Sequence, residues 1–170
     1  MTGELLDLAL IEEAAKKSGL IWVRGADAPA PRALWHVWRE GAVCLVGDGP
    51  GEQPLPGLVD GGTAEVTARG KDKGGRLVTF PVAVSELPAG SAAWEAAVAD
   101  LKGKRLNAPD GEEMPARWAR ECRVLCLVPT GAVAPLPADS LARRPLPSPA
   151  TTRRPVPAAL PKLLAGRRRK

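Results

Sequence analysis

Apolar positions recur with helical spacing at the start of the chain. Over Glu4 to Ser18, Leu8, Ile11 and Ala15 share one face, with Leu5 at its edge. Lys16 and Lys17 suit the negative end of a helix dipole, and Gly19 suits the left-handed residue that stops a helix. From Leu20 the period shortens. Leu20 to Val23 forms a first strand, Asp27 to Pro31 a turn, Arg32 to Trp38 a second strand, and Ala42 to Val46 a third after the turn Arg39-Glu40-Gly41. Gly47 to Gly57 is a loop rich in Gly and Pro. Thr63 to Arg69 and Arg76 to Val84 alternate as the two arms of a hairpin. The helical period then returns over Ser91 to Lys102, with Trp94, Val98 and Leu101 on one face and Ser91 as cap. A shorter helix starts near Met114, where Pro115 is tolerated in the first turn and Arg117 can pair with Glu113 or Glu121. Arg123 to Val128 is a last strand, apolar on both faces.

This order, one helix, five strands joined largely by hairpins, two helices and one strand, predicts a mainly β protein. Hairpin links imply antiparallel pairing, and six short strands with helices around them suit a small barrel. The second strand adds a demand. Ala33, Trp35 and Val37 lie on one face and Leu34, His36 and Trp38 on the other, so both faces are largely apolar. A wall with one wet face would alternate. Helices or a second copy of the chain must therefore cover the outside, and tryptophan is frequent at such junctions, which points to a homodimer.

Charge divides the chain in a way that its total hides. Residues 1–133 hold 15 Lys/Arg against 18 Asp/Glu, a net −3. Residues 134–170 hold 9 Lys/Arg against the single acid Asp139, a net +8, together with 8 of the 18 prolines. Proline fixes φ and removes a donor, so these 37 residues are expected to be a disordered, polyproline-like basic tail. A tail of this charge would draw polyanions weakly, through phosphates alone, since it has no aromatic residue for stacking. The rest, residues 1–133, is one domain. No run approaches the ~18 apolar residues of a membrane span, and the first residues lack the pattern of a secretory signal. Cys44, Cys122 and Cys126 form no zinc-type spacing, so no metal site is expected. In extended chain Cys122 and Cys126 stand about 13 Å apart, too far for a bond. All three read as buried reduced thiols of a cytoplasmic protein.

Catalytic candidates are few. His36 is the only histidine, and no nucleophile elbow is present. Glu12-Glu13 and Glu112-Glu113 read as solvated surface. The loop from Gly47 to Gly57 lacks the following helix and the basic residue of a phosphate loop, and is expected to line a pocket or an interface. Arg69, Lys71, Lys73 and Arg76 gather around a hairpin tip, where they either discourage edge pairing or hold an anion.

The stretch Gly19 to Val23, then Arg32 to Gly41, then Ala42 to Val46 resembles the opening of the pyridoxamine 5′-phosphate oxidase-like split barrels. The likeness spans about residues 4–130, as an order of elements with weak motifs. It implies an antiparallel six-stranded split barrel, a dimer, and a bound flavin (FMN), with deazaflavin or haem as alternatives. The family pattern Arg-x-Val-Leu-Leu-Lys falls on Arg32 to Val37. Arg32 thus takes the place of the arginine that helps hold the flavin phosphate, while Val37 replaces the family's lysine. Trp35 and His36 fall where that strand approaches the ring system. The family's Ser-Arg-Lys clamp falls on Gly51-Glu52-Gln53, where the acid is expected to repel a phosphate. Lys71, Lys73 or Arg76 would then substitute for the clamp.

Two functions follow. One is a flavin-type oxidoreductase of this class, transferring hydride at a dimer-interface site. The other is a non-catalytic dimeric split-barrel module that has lost the phosphate clamp and uses the basic tail as a contact arm.

Overall fold

A computed structural model of the chain describes residues 2–69 and 77–135. Helix α1 (Thr2–Lys17) is followed by β1 (Ile21–Gly25), β2 (Arg32–Leu34), β3 (Val37–Arg39), β4 (Ala42–Gly47), β5 (Thr63–Arg69) and β6 (Leu77–Glu86). Then come α2 (Ala92–Lys104), a 3-10 turn over Gly111–Glu113, α3 (Met114–Glu121) and β7 (Arg123–Pro129). The Ser91 hydroxyl accepts from Trp94 N at 3.2 Å and caps α2, as its position in the sequence predicts.

All ladders are antiparallel, and the strands run in the order β2-β1-β5-β6-β7-β4-β3. The two edge strands of this order, β2 and β3, are consecutive in sequence. Only Trp35 and His36 separate them, so Leu34 and Val37 can be at most about 11 Å apart. The sheet must therefore curl until its edges meet, with a seam at residues 35–36 that no ladder closes. That is a split barrel.

Among the described residues seven strands form rather than six, because the expected second strand breaks at the seam. The side chain of Gln53 explains the break. Its Oε1 accepts from Trp35 N at 2.9 Å, and its Nε2 donates to Trp35 O at 2.9 Å and to Val46 O at 3.2 Å. One side-chain amide thus replaces the strand partner that Trp35 lacks.

Two apolar layers result. The barrel interior gathers Ile21, Val23, Leu34, Leu45, Val66, Phe80 and Leu125, plugged by Ile11, Ala14 and Ala15 of α1. Outside the sheet, α2 and α3 lay Trp94, Val98, Leu101 and Trp118 over Val37, Cys44, Val46 and Val124. The apolar faces of the expected second strand are covered in this way within one chain: Leu34 and Trp38 belong to the interior, Trp35 and Val37 to the outer layer. Among the described residues, no helix is long and apolar enough to cross a membrane. After β7 the chain stays on the sheet, with Ala134 N donating to Thr79 O at 2.7 Å. The remainder of the expected tail, residues 136–170, lies outside the described residues.

Candidate functional site

The seam is where the candidate residues converge in sequence, and the structure sends them in different directions. Arg32 starts β2 opposite Val23 and is exposed. Trp35 is half-buried against the outer layer. Its ring centroid lies 6.4 Å from that of Trp118, and Arg105 Cζ stands over the ring, 6.0 Å from its centroid. His36 is fully buried. Its Nε2 lies 2.8 Å from Ala15 O, a carbonyl that can only accept, so Nε2 carries the proton. Nδ1 makes no hydrogen bond. Burial lowers the His36 pKa from 6.5 to about 4, against the opposing effect of the Ala15 bond. Lys71, Lys73 and Arg76 lie outside the described residues.

Glu52 behaves differently from its sequence expectation. Its side chain is fully buried, and its carboxylate accepts from Arg105 Nε, Arg117 Nη2 and Trp118 Nε1, each at 3.1 Å. The same arginines bind the loop backbone, Arg105 Nη2 at Gly51 O (2.9 Å) and Arg117 Nη1 at Pro50 O (2.7 Å). Arg117 also grips Asp110, which raises the arginine's pKa and lowers that of the carboxyl. Arg117 thus turns to Asp110 and Glu52 rather than to Glu113 or Glu121. A buried acid with three donors exerts little repulsion on a phosphate outside. The expected conflict therefore does not arise there, and the segment offers no phosphate clamp either.

The loop from Gly47 to Gly57 is fastened to α2 and α3 by this cluster, and its Leu55 is buried in the barrel interior. Gly49 allows the close approach, since a Cβ there would stand 2.3 Å from Cys122 Sγ and 2.5 Å from Glu121 O. Sequence reasoning missed the cluster because Glu52 is 53 residues from Arg105 and 65 from Arg117. The one local signal was an acid in a Gly-Pro loop with no neighbouring base.

Elsewhere, a shallow depression of about 380 Å³ opens beside the end of β1, lined by Arg24, Gly25, Ala28, Thr63 and Glu65. None of the sequence candidates lines it, and Arg24 and Glu65 pair across it at 3.0 Å. No group of His, Cys, Asp or Glu that could hold a metal ion occurs among the described residues.

Among the described residues, the outer face of the other half of the sheet carries no such layer. Trp22, between the buried Ile21 and Val23, is 40% exposed. It lies in register with Ala33 on one side and Thr67 on the other, and Thr67 faces Thr79. Further along, Ala83 faces Val128, which is 45% exposed. The same face carries the Arg24–Glu65 pair and the exposed Arg69, so it mixes small, apolar and charged positions.

No protein-family model matches the chain, and no curated protein does. Solved structures similar to it include two with the following likeness. One is HutZ, the heme storage protein from Vibrio cholerae, at 12% identity and a TM-score of 0.48, covering 74% of this chain and 92% of that one. The other is an F420 reductase, at 16% identity and a TM-score of 0.46, covering 71% of this chain and 93% of that one.

Proposed function

We propose that the chain works as a homodimeric split barrel that holds a flavin-type cofactor at the junction between its copies. The bare outer face around Trp22 carries this reading. Its described ion pair, Arg24 with Glu65, is satisfied within the chain, so two copies can press that part of the face together without stripping either charge of its partner, while Arg69, exposed at the end of β5, is a further charge on the face. Arg32 is exposed on the edge strand β2, in register with Val23 and next to the Ala33 that pairs with Trp22, and is a described cation a cofactor phosphate would meet. Lys71, Lys73 and Arg76 are the further cations proposed for it. FMN is the first candidate, with deazaflavin or haem behind it. A flavin or deazaflavin supplies hydride transfer when bound, and the chain's share is to hold and orient it.

Trp35 and His36 support a second reading. His36 is fully buried against Ala15, and Trp35 is held half-buried in the outer layer beside Trp118, away from the bare face, so neither stands where that face would meet a ligand. A dimeric module without cofactor, using residues 134–170 as its contact arm, accommodates that. Sedimentation velocity of the full chain at high micromolar concentration is expected to show a dimer that Trp22→Glu dissociates. Titration with FMN, a deazaflavin and haem, followed by absorbance, is expected to give saturable binding of one of them. Arg32→Ala should weaken it by roughly 10- to 100-fold, as loss of a charge-assisted hydrogen bond does. A monomer would sink both readings, and a dimer that takes up none of the three leaves the second.

A further inference from the structure

Cys44 and Cys126 are 82 residues apart in sequence, and their sulfurs stand 2.8 Å apart. They face each other directly across the β4–β7 ladder. Partners so placed have Cα atoms about 4.5–5.5 Å apart, within the span a disulfide bridges. Both are free thiols. Their row across the sheet continues to Val37 on β3 and Ser85 on β6. Cys44 is 1% exposed beneath α2, whereas Cys126 is only half-buried at the margin of that layer. Cys122, the third thiol, stands at the end of α3 against Gly49. The ladder register, and not sequence spacing, decides which thiol Cys126 meets.

We propose that Cys44 and Cys126 are a reversible redox pair, closed to a disulfide by a hydroperoxide and reopened by a dithiol. Cys126 is the attacking member because it is the more accessible one. The hydrogen bond from the Cys44 thiol, aided by the charge of Arg39, lowers its pKa against the effect of burial. The same hydrogen bond, together with burial, pushes Cys44 up and keeps it protonated. The Cys126 thiolate attacks one peroxide oxygen. The O–O bond breaks, the leaving oxygen departs as water or alcohol with the proton Cys126 gave up, and Cys126 becomes a sulfenic acid. The Cys44 sulfur then attacks the Cys126 sulfur. An S–S bond forms, the S–O bond breaks, and hydroxide takes the Cys44 proton to leave as water. Two thiols and one peroxide have become one disulfide. A dithiol reverses this by exchange and is itself oxidised.

The test uses the full chain treated with a few equivalents of hydrogen peroxide and analysed by intact mass and peptide mapping. The expected product is 2 Da lighter, monomer-sized on a non-reducing gel, linked between the peptides of Cys44 and Cys126, and restored by dithiothreitol. Its Tm should rise by roughly 5–15 °C, because the bond closes a long loop. Cys122→Ser should leave the loss of 2 Da unchanged, and Cys44→Ser should stop at a dimedone-reactive Cys126. A chain that only gains oxygen, or a link that runs through Cys122, overturns the proposal. The wild-type map decides even if a variant fails to fold.

Discussion

Burial holds the His36 imidazole neutral, with its pKa lowered from 6.5 to about 4, so the unfolded chain binds a proton between those values that the folded chain refuses. The stability His36 contributes is whole above pH 6.5 and is lost as pH falls toward 4. Between pH 7 and 4.5 the loss should be roughly 2 kcal/mol. His36→Gln keeps a donor for Ala15 O but does not titrate. Urea unfolding at both pH values should therefore show a flatter profile in that variant, and equal slopes would remove His36 as the cause. Glu52 offers a test of the opposite kind. Glu52→Ala takes the acceptor from two arginines and an indole at once and should cost about 3 kcal/mol by thermal unfolding. Glu52→Gln keeps an acceptor and should cost less. Neither role was visible in the sequence. His36 looked like a strand residue with a neighbour on each side, and its partner on α1 is 21 positions away. Glu52 looked like a misplaced surface acid because its partners lie on helices still to come.

Elements fared better than residues wherever the cause of the element is local. The helices α1, α2 and α3, the hairpin of β5 and β6, and the strand β7 all follow from periodicity and caps that sit within a few positions of each other. The break between β2 and β3 does not. Arg32 to Val37 has the composition of one strand, and its interruption is imposed by the side chain of Gln53 from 18 residues downstream. Gln53→Ala would leave Trp35 N, Trp35 O and Val46 O without that partner, at a cost of about 2 kcal/mol. Hydrogen exchange should find the Trp35 amide markedly faster in the variant while amides of β5 and β6 keep their rates. If the Trp35 amide exchanges as before, the seam is held by something else.

At the scale of the whole molecule, the apolar faces of the expected second strand foresaw a covering, and the covering proves to come from α2, α3 and the barrel's own interior. The face that remains bare is on strands whose alternation looked ordinary. Sequence showed β1 as a short apolar strand and β5 as an alternating one, but not which half of the sheet the helices would choose. The tail is a separate matter of charge. With +8 over residues 134–170, the full chain should bind DNA or RNA at low salt and release it steeply as salt rises. Removing those residues should abolish the binding, as followed by fluorescence anisotropy. Equal binding by the shortened chain, itself at −3, would assign the contact elsewhere.

The position of β7 governs the order in which this molecule can be made. It is the last of the described strands to leave the ribosome, yet it lies in the middle of the sheet, between β6 and β4. Until Arg123 to Pro129 emerge, β2-β1-β5-β6 and β4-β3 are two unconnected fragments, each with a raw edge waiting for the same partner. Translation must finish a keystone rather than extend a wall. A nascent chain stalled short of it exposes both edges to any neighbouring strand, so the moment of greatest danger for this fold falls just before β7 emerges.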